Sequence, residues 1–224
     1  MGNSGSSSGL QSAKARRKRA DIIAAACDVF LAEGFGASMD AVADRAGASK
    51  VTVYNHFKSK EALILAIIDD QLDVALAPAV ELVDSHLSDS SDVRGDLVSA
   101  CRAWVAGVAS PRMLALRNLV AGEMRQLPEL GTAWQQRGPQ RFHPVVARAL
   151  RALCDRGVLS IADIDIAVLQ LSGLAVSPNI VYGAYGNSVP DAVAEQLITV
   201  GVDMFLTYYT AASDSGASGG PVRG

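Results

Sequence analysis

Residues Ser38–Lys60 read SMDAVADRAGASKVTVYNHFKSK, two short helical patterns hinged at a glycine. Met39, Val42, Ala43 and Ala46 recur at helical spacing and form an inward stripe. Gly47 follows and can take a left-handed conformation, so the chain turns sharply just past the helix end. Ser49 then stands as the N-cap of the second pattern. There Val53 and Phe57 face inward, which turns Val51, Thr52, Asn55 and His56 outward as candidate base readers. A short helix braced on its neighbour, with the opposite face left free, is the form of a helix-turn-helix that grips DNA.

Working outward, Ile22, Ala26, Val29 and Phe30 line one face of an earlier helix that Gly34 ends. That helix gives the pair a surface to pack on. Before it runs Lys14-Ala15-Arg16-Arg17-Lys18-Arg19, five cations in six residues, suited to phosphate contact as a free arm or as the first turn of the helix. Such a run alone reads equally well as a solvated charged segment; beside a helix-turn-helix it favours DNA. The first sixty residues hold nine Lys or Arg against five Asp or Glu, a net of +4, whereas the remainder holds eleven against eighteen, a net of −7. All five lysines lie between Lys14 and Lys60. A basic head on an acidic body attracts a polyanion at one end only.

With these residues in view, Arg19–Leu63, about a fifth of the chain, resembles the N-terminal domain of TetR-family transcriptional regulators. The resemblance rests on Phe30-Leu31-Ala32-Glu33-Gly34-Phe35, on Ser38 to Gly47, on Ser49-Lys50-Val51-Thr52-Val53-Tyr54-Asn55-His56-Phe57 and on Ser59-Lys60-Glu61-Ala62-Leu63. Val51 departs from it, since family members often carry a small residue there. The resemblance implies that the Tyr54 hydroxyl meets a phosphate, and that Lys60, in the first turn of the next helix, touches the DNA backbone with help from the helix dipole. Thr52 and Asn55 would read base edges and Val51 a thymine methyl. Arg16, Arg17, Lys18, Arg19, Ser38, Ser49, Lys50 and Lys58 complete the expected contact set. Two positions keep a second reading: Tyr54 as a half-buried aromatic with a wet hydroxyl, and His56 as a brace for the turn before Lys58.

Beyond Lys60 the chain is apolar and helical, and period-two alternation is scarce, so a sheet is not expected. The fold class is therefore all-α, a three-helix DNA-binding head over residues 14–60 and a helical effector-binding and dimerisation bundle over 61–212. The low-complexity stretches 1–13 and 213–224 are expected to be disordered. Within the bundle, a connecting helix runs from Lys60 to about Ser85, and Ser110-Pro111 opens a helix to about Gln126. Another helix ends at Gly157, and two closing helices span roughly Asp163–Tyr185 and Pro190–Ala212. Leu169, Gly173, Val176 and Ile180 stripe the first closing helix, and Val193, Leu197, Val200 and Met204 the second. Stripes of this kind usually mark core. In TetR-like regulators the last two helices pair across a dimer, and the resemblance implies a homodimer here, matched to a palindromic operator.

Leu116 to Glu123, Pro128-Glu129-Leu130, Arg141 to Ala149 and Arg156-Gly157-Val158-Leu159 resemble the effector domain of AcrR- and AefR-like members, which implies a small hydrophobic effector. Trp104, Met113, Leu116, Val120, Met124, Trp134 and Phe142 are the expected pocket lining, although a residue of this kind alone is more often core than pocket. Arg117 and Glu123 suit a polar or salt-bridge role there. A double-stranded DNA operator, the effector and a second copy of the chain are the expected partners.

Enzyme chemistry finds little support, and neither a cofactor nor a metal is expected. His56, His86 and His143 are scattered, and Cys27, Cys101 and Cys154 are odd in number with no pair at zinc-ligand spacing. The thiols read as reduced in a cytoplasm, with Cys27 as a remote candidate for sensing oxidants. No phosphate loop or dinucleotide fingerprint occurs. The N-terminus is Gly- and Ser-rich, and Asp165, Gln170 and Asn179 interrupt the apolar stretches, so neither a signal peptide nor a membrane span is expected, and a cytoplasmic location is. The expected mechanism is repression relieved when an effector in the bundle shifts the heads through the helix starting at Lys60. An effector-independent architectural or activator protein, and a helical enzyme with a DNA-binding head, are the alternatives.

Overall fold

Side-chain caps set the helix starts. Ser38, Ser49, Ser59, Asp92, Ser110 and Asp163 each accept a backbone N–H from three residues on, satisfying a donor that the first helical turn leaves without a partner. The computed structural model describes residues 5–186 and 189–211, with side chains from residue 13 onward. The helices are α1 (Gly5–Glu33), α2 (Met39–Arg45), α3 (Lys50–His56), α4 (Lys60–Leu82), α5 (Val93–Val108), α6 (Pro111–Glu123), α7 (Glu129–Arg137), α8 (Pro139–Asp155), α9 (Ile164–Ala175), α10 (Ser177–Ala184) and α11 (Asp191–Tyr209). A π-helical turn, Val83–Leu87, carries the connecting helix slightly past its α-helical end. Among the described residues there is no strand, only an isolated bridge between Leu159 and Thr210.

The all-α fold stands, and several expectations change. Residues 5–13, expected to be disordered, join α1, so the basic run is neither an arm nor a first turn but the middle of a long helix. Glycine and serine are poor helix formers, yet extending a formed helix adds one hydrogen bond per residue without a new nucleus. Residues 1–4 and 212–224 lie outside the described residues. The helix expected to end at Gly157 and to begin near Gly138 or earlier is α8, which starts at Pro139, and the separate helix α7 precedes it. The first closing helix is two: α9 and α10 meet at Val176 with a 52° bend. Pro178 sits in the first turn of α10, where its ring lacks the N–H that would continue α9 and would clash with the preceding turn.

Two hydrophobic clusters organise the helices. One gathers the second half of α4 with α5, α8, α9 and α11. The other joins Ile22, Phe30, Val42, Val53 and Phe57 of the head to Leu63, Ile64, Ile67, Ile68 and Leu72 of α4, and to Met113, Leu116, Val120 and Leu130 of α6 and α7. The head's core thus runs on past Lys60 into the body.

Contact between α4 and α5 is so close that a Cβ added at Gly107 would lie 1.9 Å from the Ala75 carbonyl oxygen, whereas one at Gly122 in α6 would meet nothing within 4 Å. Gly107→Ala is expected to lower stability by about 1–3 kcal/mol as an over-packed substitution. Gly122→Ala should raise it by roughly 0.5–1 kcal/mol through helix propensity. Urea unfolding followed by circular dichroism measures both, and equal effects would contradict the α4–α5 packing.

Candidate nucleic-acid interface and bundle cavity

The reader pair is held by its own caps. Gly47 adopts φ +54° after α2, and the Ala48 N–H returns 3.0 Å to the Ala43 carbonyl, closing the turn. Ser49 accepts from the Thr52 N–H at 3.1 Å, and the Ser49 and Thr52 hydroxyls lie 2.8 Å apart. Val53 and Phe57 are buried in the head core, while Val51 is 69% exposed and Asn55 and Tyr54 are also exposed. His56 and Thr52 are half-buried, so Val51, Tyr54 and Asn55 form the open part of the face.

The cations divide into those that brace the head and those that face solvent. Lys18 donates to the Ala46 and Gly47 carbonyls at 3.0 and 3.1 Å, placing a positive charge on the C-terminal end of α2, where the dipole favours it. Arg19 lies over the Phe57 ring at 5.0 Å. Lys50 pairs with Asp40 at 2.8 Å, which raises its pKa. Lys60 donates to the Phe35 carbonyl at 2.8 Å and lies 5.2 Å from the centre of that ring. Sequence reading expected Lys18, Arg19 and Lys60 at phosphate, and their bracing partners lie too far along the chain to read from spacing. Arg16, Arg17 and Lys58 are exposed, with no ion pair among the described residues. Ser38 acts as the α2 cap.

A polar link ties the head to the body. Arg112, at the start of α6, donates to Asp28 of α1 at 2.8 Å and to Gln71 of α4 at 2.9 Å, and Arg45 of α2 approaches the same Asp28 at 3.4 Å. The hydrogen bond from Arg112, with Arg45 behind it, holds the Asp28 carboxyl below its ordinary pKa. Cys27 beside it is fully buried, and burial pushes its thiol pKa up, which disfavours the thiolate that oxidant sensing needs. Burial raises Cys101 to about 12.

A cavity of about 270 Å³ lies within the body, walled by all seven helices from α4 to α10. Of the expected lining, Trp104, Arg117, Trp134 and Phe142 reach it. Met113, Leu116 and Val120 do not, because α6 turns them into the head-side core. Glu123 and Met124 also miss it; they end α6, where Met124 lies against Gly131 of α7. Sequence reading missed Leu72 and Leu76 of α4, Gln135 of α7, His143 of α8, Ser172 of α9 and Ile180 of α10, which also line the wall. Phe142 meets Trp104 edge-on at 4.6 Å between ring centres, with His143 6.0 Å away, and burial lowers the His143 pKa. From the same α6, Asn118 donates to the Ala184 carbonyl of α10 at 2.9 Å.

On the outer surface, α9 and α11 expose a run of apolar side chains. Leu169 is 54% exposed, Met204 56% and Tyr208 78%, with Ile166, Val193 and Val200 beside them. Of the first predicted stripe, Leu169 and Gly173 face out while Val176, at the bend, is buried. No single helix among the described residues is long and apolar enough to cross a membrane.

Known proteins share this arrangement. Residues 22–67 match the family of bacterial regulatory proteins called tetR, and residues 95–211 match the C-terminal domain of AefR-like transcriptional repressors. The transcriptional activator FasR of Mycolicibacterium smegmatis is 44% identical over 39% of this chain and 38% of its own length. The regulator RutR of Escherichia coli K12 is 39% identical over 31% of this chain and 34% of its own. These two matches thus span little more than a third of either relative. The regulator UidR of Escherichia coli K12 is 32% identical over 53% of this chain and 70% of its own. In structure, a TetR-family regulator from Mesorhizobium loti superposes with a TM-score of 0.82 at 28% identity, covering 88% of this chain and 98% of the other. The flavonoid-responsive regulator FrrA superposes at 0.70 and 26% identity, covering 88% and 99%. With a matching head, a matching body and the same fold throughout, the chain belongs to the TetR family of transcriptional regulators.

Proposed function

We propose that the chain is a ligand-responsive repressor that binds a palindromic operator as a homodimer and is released by a small hydrophobic effector. The observation that carries this reading is the placement of α6. Arg117 of that helix lines the cavity, and Arg112, five residues earlier, grips α1 of the head and the connecting helix α4. A ligand that moves α6 therefore acts on the reader without touching it, alongside any change passed through α4. FrrA, a flavonoid-responsive relative in structure, supports a small-molecule effector. The relatives are transcriptional regulators, and the chain acts as one in the cytoplasm, not as an enzyme. FasR is an activator, which favours a second reading in which operator binding raises transcription. Reporter expression with and without the chain distinguishes the two.

For the dimer, the supporting feature is the apolar face of α9 and α11, larger than isolated surface residues explain. A two-fold axis through it would set two reader helices on successive major grooves. Replacing Val200 and Met204 together with Asp should give a monomer by light scattering with unchanged helix content, and operator affinity should fall. A double variant that stays dimeric places the interface elsewhere.

At the DNA, Tyr54 and Lys58 contact phosphate and Val51 and Asn55 read bases, with Thr52 sharing its hydroxyl with Ser49. A gel-shift assay on DNA upstream of the chain's own coding region tests this. Lys58→Ala should weaken binding across sequences and lower the salt slope by about 1, without changing thermal stability. Asn55→Ala should alter preference at one position by about 1–3 kcal/mol, and a silent variant on every operator would reassign the base-reading face. Lys18→Ala should cost both affinity and about 1 kcal/mol of stability, because it removes a cap from α2.

A further inference from the structure

The cavity's charge content names a ligand class. Its wall is aromatic and aliphatic, built on Trp104, Phe142, Leu72, Leu76 and Val108. At about 270 Å³ it falls just below the range of pockets for drug-sized molecules, roughly 300–1,000 Å³, and suits a smaller ligand. Among the described lining residues there is no Asp or Glu, and the one arginine is Arg117. Neighbouring arginines of the bundle are neutralised: Arg112 by Asp28, Arg137 by Asp69 and Arg141 by Asp73. Arg117, half-buried, has no such partner among the described residues.

A guanidinium stays protonated in proteins, and removing it partly from water without a counter-charge is costly. A ligand that brings an anion offsets that cost, while a cationic drug would be repelled and would find no carboxylate to hold it. Arg117 presents a planar fork of donors, which matches a carboxylate in two parallel hydrogen bonds. A single cation balances a monoanion and leaves a phosphate dianion with excess charge. Burial lowers the His143 pKa, so this ring adds no second positive charge at neutral pH and is left to hydrogen-bond, as are Ser172, Ser177 and Gln135.

We propose that the cavity binds an apolar carboxylic acid, its carboxylate on Arg117 and its hydrocarbon part against Trp104 and Phe142. The proposal rests on reading the cavity as the effector site, and it names what that site selects.

Both tryptophans of the chain, Trp104 and Trp134, line the cavity, so tryptophan emission of the full-length protein reports occupancy. The probes are the phenylalkanoates from phenylacetate to 6-phenylhexanoate, each beside its primary amide, which has nearly the same size and no charge. At pH 7 the best acid should bind at least about tenfold more tightly than its amide, as expected for hydrogen bonds between charged groups. Arg117→Gln should bring the acid down to the amide's affinity while amide binding, which shows that the cavity is still formed, stays unchanged. Arg117→Lys should keep part of the preference. Amides that bind as well as acids, or a preference that survives Arg117→Gln, overturn the proposal and leave the cavity as a ligand site. If no acid or amide of the series alters the emission up to millimolar concentration, the reading of the cavity as a site for small apolar effectors falls, and the proposal with it.

Discussion

The packing of α4 and α6 into the core of the head is the constraint on which the rest depends. Leu63, Ile64, Ile67 and Ile68 of α4 and Leu116 of α6 are all but fully buried beside Ile22 and Phe30 of α1. Each such side chain contributes about 1.5–3 kcal/mol by leaving water. A three-helix head of this size buries little apolar surface alone. It therefore shares a core with the body, and the shared core makes its orientation sensitive to the body. The Arg112–Asp28 pair lies at the rim of that joint and adds direction more than strength, since ion pairs open to water contribute little.

How much was legible in the sequence follows the range of the interactions involved. Ser38, Gly47, Ser49 and Ser59 are local signals, each acting within a few residues, and the helices they bound lie where they were expected. The inward pair Val53 and Phe57 is equally local. What stayed hidden is long-range. Lys18 contacts α2 across 28 residues and Lys60 reaches back 25 to Phe35, so a cation that reads as a phosphate contact also braces the fold. Pro178 was in plain view, but a proline breaks one helix and is absorbed as the first turn of another, and the 52° bend follows from where α9 and α10 pack.

The cavity shows the same limit. Trp104, Trp134 and Phe142 could be proposed from residue type alone, while Met113, Leu116 and Val120 have the same character and point the other way. Only the rotation of α6 separates Arg117 from them. His143 and Ser172 carry no local signal of a pocket; they become wall residues through the packing of α8 and α9 in the body. The closing helices carry two kinds of apolar residue at once. Ile198, Val202 and Phe205 of α11 enter the core, and Val200 and Met204 remain outside it, a division that a hydrophobic stripe does not express.

The central claim, that head and cavity are coupled through α6, is tested most directly by hydrogen–deuterium exchange of the full chain, free and bound to duplex DNA selected from a random-sequence pool by the chain itself. No effector is needed, because coupling is reciprocal: if the cavity biases the head, DNA on the head must alter the cavity. The expected result is changed protection in α6, residues 111–123, and around Ser172–Val181, in addition to protection of α1–α3. Changes confined to α1–α3 at saturating DNA would contradict the coupling.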